Sequence, residues 1–256
     1  MMKVVVLGSG TSTGVPVIGC KCNVCTSSDP RNRRRRASVL ISVKGKNLLI
    51  DTPPDFHQQA LENHIERVDA VLFTHDHADH IFGLDELRIF NFLQGGKIPL
   101  YAHKKTLSRI QRLFDYIWDP EAPVGGGKPL LEALPINGRF NLEGIEIIPI
   151  EIYHGKQTIY GYRIGNFAYL TDCSGIPDSS REKLKDLDLL ILGALRYRPH
   201  PTHFSLSEAL EEIERIQPKR ALLTHLSHSF DYQTTSQELP RGVELAYDQM
   251  VIELKE

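Results

Sequence analysis

Apolar residues along this chain fall in short dense runs separated by polar loops. Val4 to Leu7, Ser38 to Val43, Asn47 to Ile50, Val68 to Phe73 and Ile98 to Ala102 are such runs in the first half. Ile145 to Ile152, Gly161 to Ile164, Phe167 to Leu170, Leu187 to Leu192 and Arg220 to Leu223 follow in the second. Runs of this length bounded by Gly, Pro or polar turns predict strands, and fully apolar ones predict strands buried on both faces. A different spacing predicts helices between them. Phe56 to His64 carries Leu61 and Ile65 on one face, Gly83 to Leu87 opens a second helix, and Thr106 to Trp118 places Leu107, Ile110, Leu113, Phe114 and Ile117 at helical intervals. Leu206 to Ile216 is preceded by Ser205 and carries Glu208 three residues on, the signature of a capping box. Strands alternate with helices in both halves, and no composition shift divides the chain. The expectation is α/β: one domain over residues 1–256, two sheets packed face to face with helices outside. Gly125-Gly126-Gly127 marks a predicted flexible loop.

Composition narrows the class without naming an activity. The 256 residues are 41% apolar and 24% charged, with a formal net charge of −2, so a sizeable core forms without staples. That balance gives no general drive toward nucleic acid or membranes. No segment is apolar for long enough to span a bilayer. The run Val4 to Leu7 is too short for a secretory signal, so the expected location is the cytoplasm. Arg31 and Arg33 to Arg36 form a basic run, predicted to be a solvated edge that blunts a strand rather than a substrate or RNA patch.

The chemistry concentrates in Thr74-His75-Asp76-His77-Ala78-Asp79-His80, directly after the apolar run Val71 to Phe73. Residues two apart in an extended segment project to one side, so His75 and His77 can grip one ion. Asp79 and His80 can reach a second beside it. Imidazole and carboxylate together suit zinc, iron or manganese. Asp51, His154, Asp172 and His225 each sit at or just past the end of a predicted strand, where loops carry function on a rigid scaffold. Three of the four cysteines cluster as Cys20, Cys22 and Cys25, which in a reducing compartment reads as a metal site. The glycines Gly8, Gly10 and Gly14 lack dinucleotide-fingerprint spacing, and Pro16 with the cysteines replaces the helix it needs. Cys173 is expected to be a buried small hydrophobe.

Thr74 to His80 resembles the HxHxDH signature of the metallo-β-lactamase superfamily, and Asp51, His154, Asp172 and His225 follow in that superfamily's order. The resemblance implies an αββα sandwich with two divalent metals, zinc or manganese, at one edge. It implies that His75, His77 and His154 hold one metal and Asp79, His80 and His225 the other, with Asp172 bridging. Asp51 would orient a ligand histidine from outside the shell. Gly8 to Pro16 followed by Cys20, Cys22 and Cys25 is similar to the phosphoribosyl cyclic phosphodiesterase family. That likeness implies a structural zinc held by the three cysteines and His228. It also implies a catalytic histidine at the start of a late helix, where His203 stands as general acid or transition-state stabiliser, with Asp79 beside it in the catalytic set. Arg196 and Arg198, in the same loop as His200, are candidates for binding substrate phosphate.

The function implied is hydrolysis of small cyclic phosphodiesters, phosphoribosyl 1,2-cyclic phosphate or 2′,3′-cyclic nucleotides, by a hydroxide shared between the metals. The partner is a small phosphodiester, with no membrane and no obligatory nucleic acid, and relatives pair as homodimers. One alternative is an RNA-processing phosphodiesterase of the transfer-RNA 3′ endonuclease type, though no long insertion for a substrate-clamping arm is present. The other is a non-hydrolytic metal-binding accessory protein of cofactor biosynthesis.

Overall fold

The computed structural model describes residues 1–122 and 127–255, so Gly125 and Gly126 of the predicted loop lie outside the described residues. The chain opens with β1 (Met2–Gly8), β2 (Ser38–Val43), β3 (Lys46–Ile50), β4 (Ala70–Leu72), β5 (Ile98–Ala102) and β6 (Leu131–Pro135). It continues with β7 (Phe140–Leu142), β8 (Ile145–His154), β9 (Gln157–Ile164), β10 (Phe167–Leu170), β11 (Leu189–Gly193), β12 (Arg220–Thr224) and β13 (Val243–Leu245). The last strand, β14 (Val251–Leu254), returns to pair with β1. Two seven-stranded sheets result, ordered β14-β1-β2-β3-β4-β5-β6 and β13-β12-β11-β10-β9-β8-β7.

Side-chain alternation explains why both sheets are buried on both faces. In β1, Met2, Val4 and Val6 enter the core between the sheets, whereas Val5 and Leu7 face the helices. In β11, Leu189 and Ile191 enter the inter-sheet core, and Leu190 and Leu192 pack outward. A strand with two buried faces must be apolar at every position, which is the unbroken pattern of the sequence. The helices α1 (Phe56–Glu62), α2 (Ala78–Ile81), α3 (Leu87–Gln94) and α4 (Lys104–Leu113) belong to the first half. Phe56, Ile81, Phe90, Leu107 and Ile110 from them cover the outside of the first sheet. Of α5 (Asp178–Arg181), α6 (Leu206–Ile216) and α7 (Tyr232–Glu238), α6 covers the second with Leu206, Ala209, Ile213 and Ile216. The αββα order is therefore as expected. The capping box forms on α6, with Ser205 accepting from the Glu208 amide and the Glu208 carboxylate accepting from the Ser205 amide at 2.7 Å.

Several expectations change. Arg34 is not on a solvated edge but 2% exposed, and its guanidinium donates to the carbonyls of Ser227 and Phe230 and to Asn32 Oδ1. Arg35 and Arg36 are half-buried and paired with Glu62 and Asp55. Leu61 points to solvent, and Phe56 and Gln59 take the buried face of α1 instead. The predicted helix to Trp118 begins earlier, at Lys104, and stops at Leu113. The strands β6, β13 and β14 are absent from the expectation, being short and only partly buried.

Candidate metal centre and cysteine site

Every polar residue singled out for the metal centre arrives at the C-terminal end of a strand. Asp51 follows β3, His75 to His80 follow β4, His154 ends β8, Asp172 follows β10 and His225 follows β12. Asp51, Asp172 and His225 adopt left-handed backbone, with φ of 63°, 53° and 59°. Non-glycine residues pay for that conformation, and it persists where the surroundings over-determine it. Here it turns each side chain from the strand direction back toward one point.

Two groups of ligand atoms result, each gathered within 4.8 Å: His75, His77, His154 and Asp172, and Asp79, His80, Asp172 and His225. Asp172 belongs to both. Its Oδ1 is 3.3 Å from His80 Nε2 and 3.4 Å from His225 Nε2, and its Oδ2 is 3.8 Å from His75 Nε2. Three of the histidines have their tautomer set from behind. His80 Nδ1 donates to Asp51 Oδ2 at 2.7 Å, His75 Nδ1 meets Thr74 Oγ1 at 3.0 Å, and His154 Nδ1 donates to the Asp172 and Thr202 carbonyls at 2.8 and 2.9 Å. Thr74 in turn donates its hydroxyl and its amide to Asp51. Each imidazole thus presents Nε2 to the cluster, the arrangement metal-binding histidines require.

The buried Nε2 atoms of His75, His80 and His225 have no hydrogen-bond partner. Unpaired buried nitrogens aimed at carboxylates are donors waiting for an ion, so the residues present fit two divalent cations. The electrostatics agree. Burial lowers His80, but the carboxylates of Asp172, Asp79 and Asp51 overcome it and hold the ring well above its ordinary pKa. Burial raises Asp172, but His225, His80 and His75 together hold it well below the carboxylate range.

His203, expected as a catalytic residue rather than a ligand, falls in neither group. Its ring stacks on His225 with centroids 5.0 Å apart, meets His154 edge-on at 4.8 Å, and places Nδ1 3.9 Å from Asp172 Oδ2. Burial and the charge of His225 push it down to about 3, so it is neutral at neutral pH. Arg196 folds back on its own loop, donating to the carbonyls of Arg198 and Pro199, and Arg198 is exposed. Cys173 is buried, and burial raises its thiol well above the ordinary range.

The cysteine cluster closes around a second point. The sulfurs of Cys20, Cys22 and Cys25 lie 3.4, 3.5 and 3.5 Å from His228 Nδ1. Zinc bonds of about 2.3 Å to sulfur and 2.05 Å to nitrogen at tetrahedral angles put S and N about 3.6 Å apart, so a zinc fits this shell. The Cys22 thiol is lowered to about 6, chiefly by a hydrogen bond from the Cys25 amide, and the Cys25 thiol is raised to about 11 by burial. Arg34 and the pairing of Thr11 with Leu226 tie the cysteine loop to the segment joining His225 and His228. The role of Arg34 escaped sequence reasoning because its position inside a basic run looks solvated.

A family model for the beta-lactamase superfamily domain matches residues 46–226. A crystal structure of a diphosphatase of the PhnP family superposes with a TM-score of 0.93 at 44% identity, covering 100% of this chain and 98% of that one. The chain is 39% identical over 252 residues to an octanoyltransferase of Porphyromonas gingivalis, covering 96% of this chain and spanning only 50% of that protein. Zinc-bound PqqB from Methylobacterium extorquens shares the fold, with a TM-score of 0.79 at 20% identity, covering 98% of this chain and all of that one. No helix among the described residues is long and apolar enough to cross a membrane. The chain belongs to the metallo-β-lactamase superfamily and, within it, to the PhnP family of metallo-hydrolases.

Proposed function

We propose that this chain hydrolyses small cyclic phosphodiesters, phosphoribosyl 1,2-cyclic phosphate or 2′,3′-cyclic nucleotides, opening the ring to a phosphomonoester. The observation that carries the reading is His203, a neutral imidazole at the wall of the ion cluster that neither ligand group needs. Two divalent cations, zinc or manganese, would supply a nucleophilic water near neutral pH and offset charge on the phosphoryl oxygens. The chain's own residues do the rest. Asp172 sets the spacing of the two ligand groups, and Asp51 and Thr74 hold the imidazoles in one tautomer. With substrate bound, the phosphate charge beside the ring would favour the imidazolium, and His203, having taken up a second proton from solvent, would pass it to the leaving ribose oxygen as the P–O bond breaks, returning to the neutral ring.

The name of the PhnP-family relative favours a second reading, a diphosphate ester. Attack at phosphorus is the same, but a phosphate leaves without needing a proton, so His203 matters less. For the cysteine site we assign a structural zinc, because a closed Cys3His shell leaves no position for substrate. The test is a screen of protein reconstituted with zinc or manganese against 2′,3′-cyclic nucleotides, phosphoribosyl cyclic phosphate, a dinucleoside diphosphate and a precursor transfer RNA. Turnover of the cyclic substrates is expected. Turnover of the diphosphate alone selects the second reading, cleavage of the RNA alone overturns both, and inertness with every metal favours an accessory protein.

A further inference from the structure

No residue from Pro16 to Pro30 is buried, and Ile18, near the start of this segment, is 97% exposed. Among the described residues, the hydrogen bonds of residues 17–26 stay inside the segment. The Cys20 amide donates to the Val17 carbonyl and the Thr26 amide to the Cys22 carbonyl, both at 3.0 Å. The exceptions are the thiols of Cys20, Cys22 and Cys25, which reach out to His228 Nδ1 at 3.4 to 3.5 Å. A stretch with no buried side chain has no apolar core to hold it. Its order therefore rests on the Cys3His shell, as in small domains stapled by a metal.

The shell lies open to solvent on one side. Cys22 is exposed, Cys20 and Cys25 are half-buried, and Cys173 alone is buried. Cys22 and Cys25 share the turn that the Thr26 amide closes, and the ligand atoms of the shell all lie within 4.8 Å of one another. Rotation of two side chains brings these sulfurs to the about 2.05 Å of a disulfide. A bridge from Cys22 back to Cys20 spans a single residue and closes a tighter ring. The binuclear centre differs, because no sulfur stands among its ligands. His225 is also held without the shell. The Leu226 amide donates to the Ser9 carbonyl at 2.8 Å, the Thr11 amide to the Leu226 carbonyl at 3.2 Å, and the Ser227 amide to the Leu195 carbonyl at 3.1 Å. An oxidant therefore finds thiolates to act on at one metal site and not at the other.

We propose that Cys22 is an oxidation site and that the cysteine shell is a peroxide-sensitive latch on residues 16–30. The proposal rests on the zinc assigned to that shell. The Cys22 thiolate attacks one oxygen of hydrogen peroxide, the O–O bond breaks, and the other oxygen takes a proton and leaves as water. The Cys25 thiolate then attacks the sulfur of the resulting sulfenic acid, the S–O bond breaks, and the hydroxyl takes a second proton and leaves as water. Two thiolates, one peroxide and two protons give one disulfide and two waters. With two of its four ligands joined to each other, the shell releases its ion and the segment comes free. The His/Asp centre stays loaded, and a thiol reductant reverses the bridge.

The test adds one equivalent of hydrogen peroxide to the zinc-loaded protein. Atomic spectroscopy after gel filtration reads the metal, peptide mass mapping reads the bridge, and limited trypsin reads access to the exposed Lys21. The expected result is loss of about one zinc per chain, a bridge between Cys22 and Cys25, and a free Cys173. Cleavage after Lys21 rises to the rate seen in Cys25→Ser, and dithiothreitol with added zinc restores the starting state. Zinc retained while the peroxide is consumed, a bridge that omits Cys22, or loss of metal from the His/Asp centre in step with the shell overturns the latch. Unchanged cleavage at Lys21 after the zinc has left overturns it as well. Cysteines that hold no zinc before peroxide is added retire the zinc assignment and the latch together, which separates that failure from the others.

Discussion

Asp51 Oδ2 accepts from His80 Nδ1 at 2.7 Å with both side chains fully buried, while His80 Nε2 faces Asp172 at 3.3 Å. One ring thus connects a carboxylate behind the site to the carboxylate that joins both ligand groups. Replacing Asp51 with Asn keeps the shape but removes the charge, and the Asn amide can present a donor to the ring. The outer partners of metal-bound imidazoles are worth about 10- to 100-fold in metal affinity. Asp51→Asn is therefore expected to release metal at about tenfold or lower chelator concentration than wild type, with loss of activity in proportion. Metal content after dialysis against graded chelator checks this, and identical release curves would remove Asp51 from the assembly.

His203 separates ligand from donor. In His203→Ala, turnover of a cyclic phosphodiester is expected to drop about 10²- to 10⁴-fold, the usual contribution of a positioned proton donor. Metal content, measured by atomic spectroscopy, stays at the wild-type ratio. Equal loss of metal would move His203 into the ligand shell.

Much of this centre was legible because its residue types are scarce and dense. Thr74 to His80 announced a cluster of potential metal ligands by composition alone, and the unbroken apolar runs announced sheets buried on both faces. What was not legible depended on partners distant in sequence. Nothing in Arg33 to Arg36 distinguishes Arg34, which the chain buries against carbonyls nearly two hundred residues away, from neighbours that meet carboxylates at the surface. The left-handed turns at Asp51, Asp172 and His225 were also invisible, since Asp and His visit that region only when the fold holds them there. The strand β6 pairs with β5 through a five-residue segment in which only Leu131 is fully buried, too short and too exposed to give a sustained pattern.

The cysteine shell is predicted to hold one ion independently of the catalytic pair. Cys25→Ser lowers total zinc by about one equivalent per chain, leaving the His/Asp centre loaded. Because the shell ties the N-terminal loop to the segment carrying His228, the midpoint of thermal unfolding falls as well. A variant with undiminished zinc and an unchanged midpoint would mean the thiols hold no metal.

Arg34 bears on the same loop. Burial lowers its pKa to about 10, which leaves it charged at neutral pH, and it donates to three acceptors. Arg34→Met fills the volume but leaves the Phe230 carbonyl unpaired, whereas Asn32 Oδ1 keeps the Tyr232 amide and the Ser227 carbonyl keeps the Phe230 amide, so a loss of about 1–3 kcal/mol is expected. Lysine reaches with one ammonium in place of a fork and recovers only part of it. Urea unfolding of the metal-loaded variants measures both numbers, and a Met variant as stable as wild type would show that water replaces the guanidinium.

Asp248 makes the anchoring of the N-terminal loop depend on pH. Its Oδ1 accepts from the Ser9 amide and hydroxyl and its Oδ2 from the Arg35 amide, at 2.7 to 2.9 Å. Burial nevertheless raises the carboxyl from 3.8 to about 6, against those hydrogen bonds and the charge of Arg35. The folded chain therefore holds this proton more tightly than the unfolded chain. The stability it confers is fully present below pH 3.8 and is lost as pH rises through about 6. A shift of that size corresponds to about 3 kcal/mol. Asp248→Asn has no proton to lose. Protonation of the metal ligands at low pH affects both proteins alike and cancels in the difference between them. Wild-type stability relative to Asp248→Asn should therefore fall by up to about 3 kcal/mol between pH 4 and 7, in chemical unfolding at fixed metal concentration. A difference that stays flat across that window would mean that Asp248 is ionised throughout and that the three hydrogen bonds outweigh its burial.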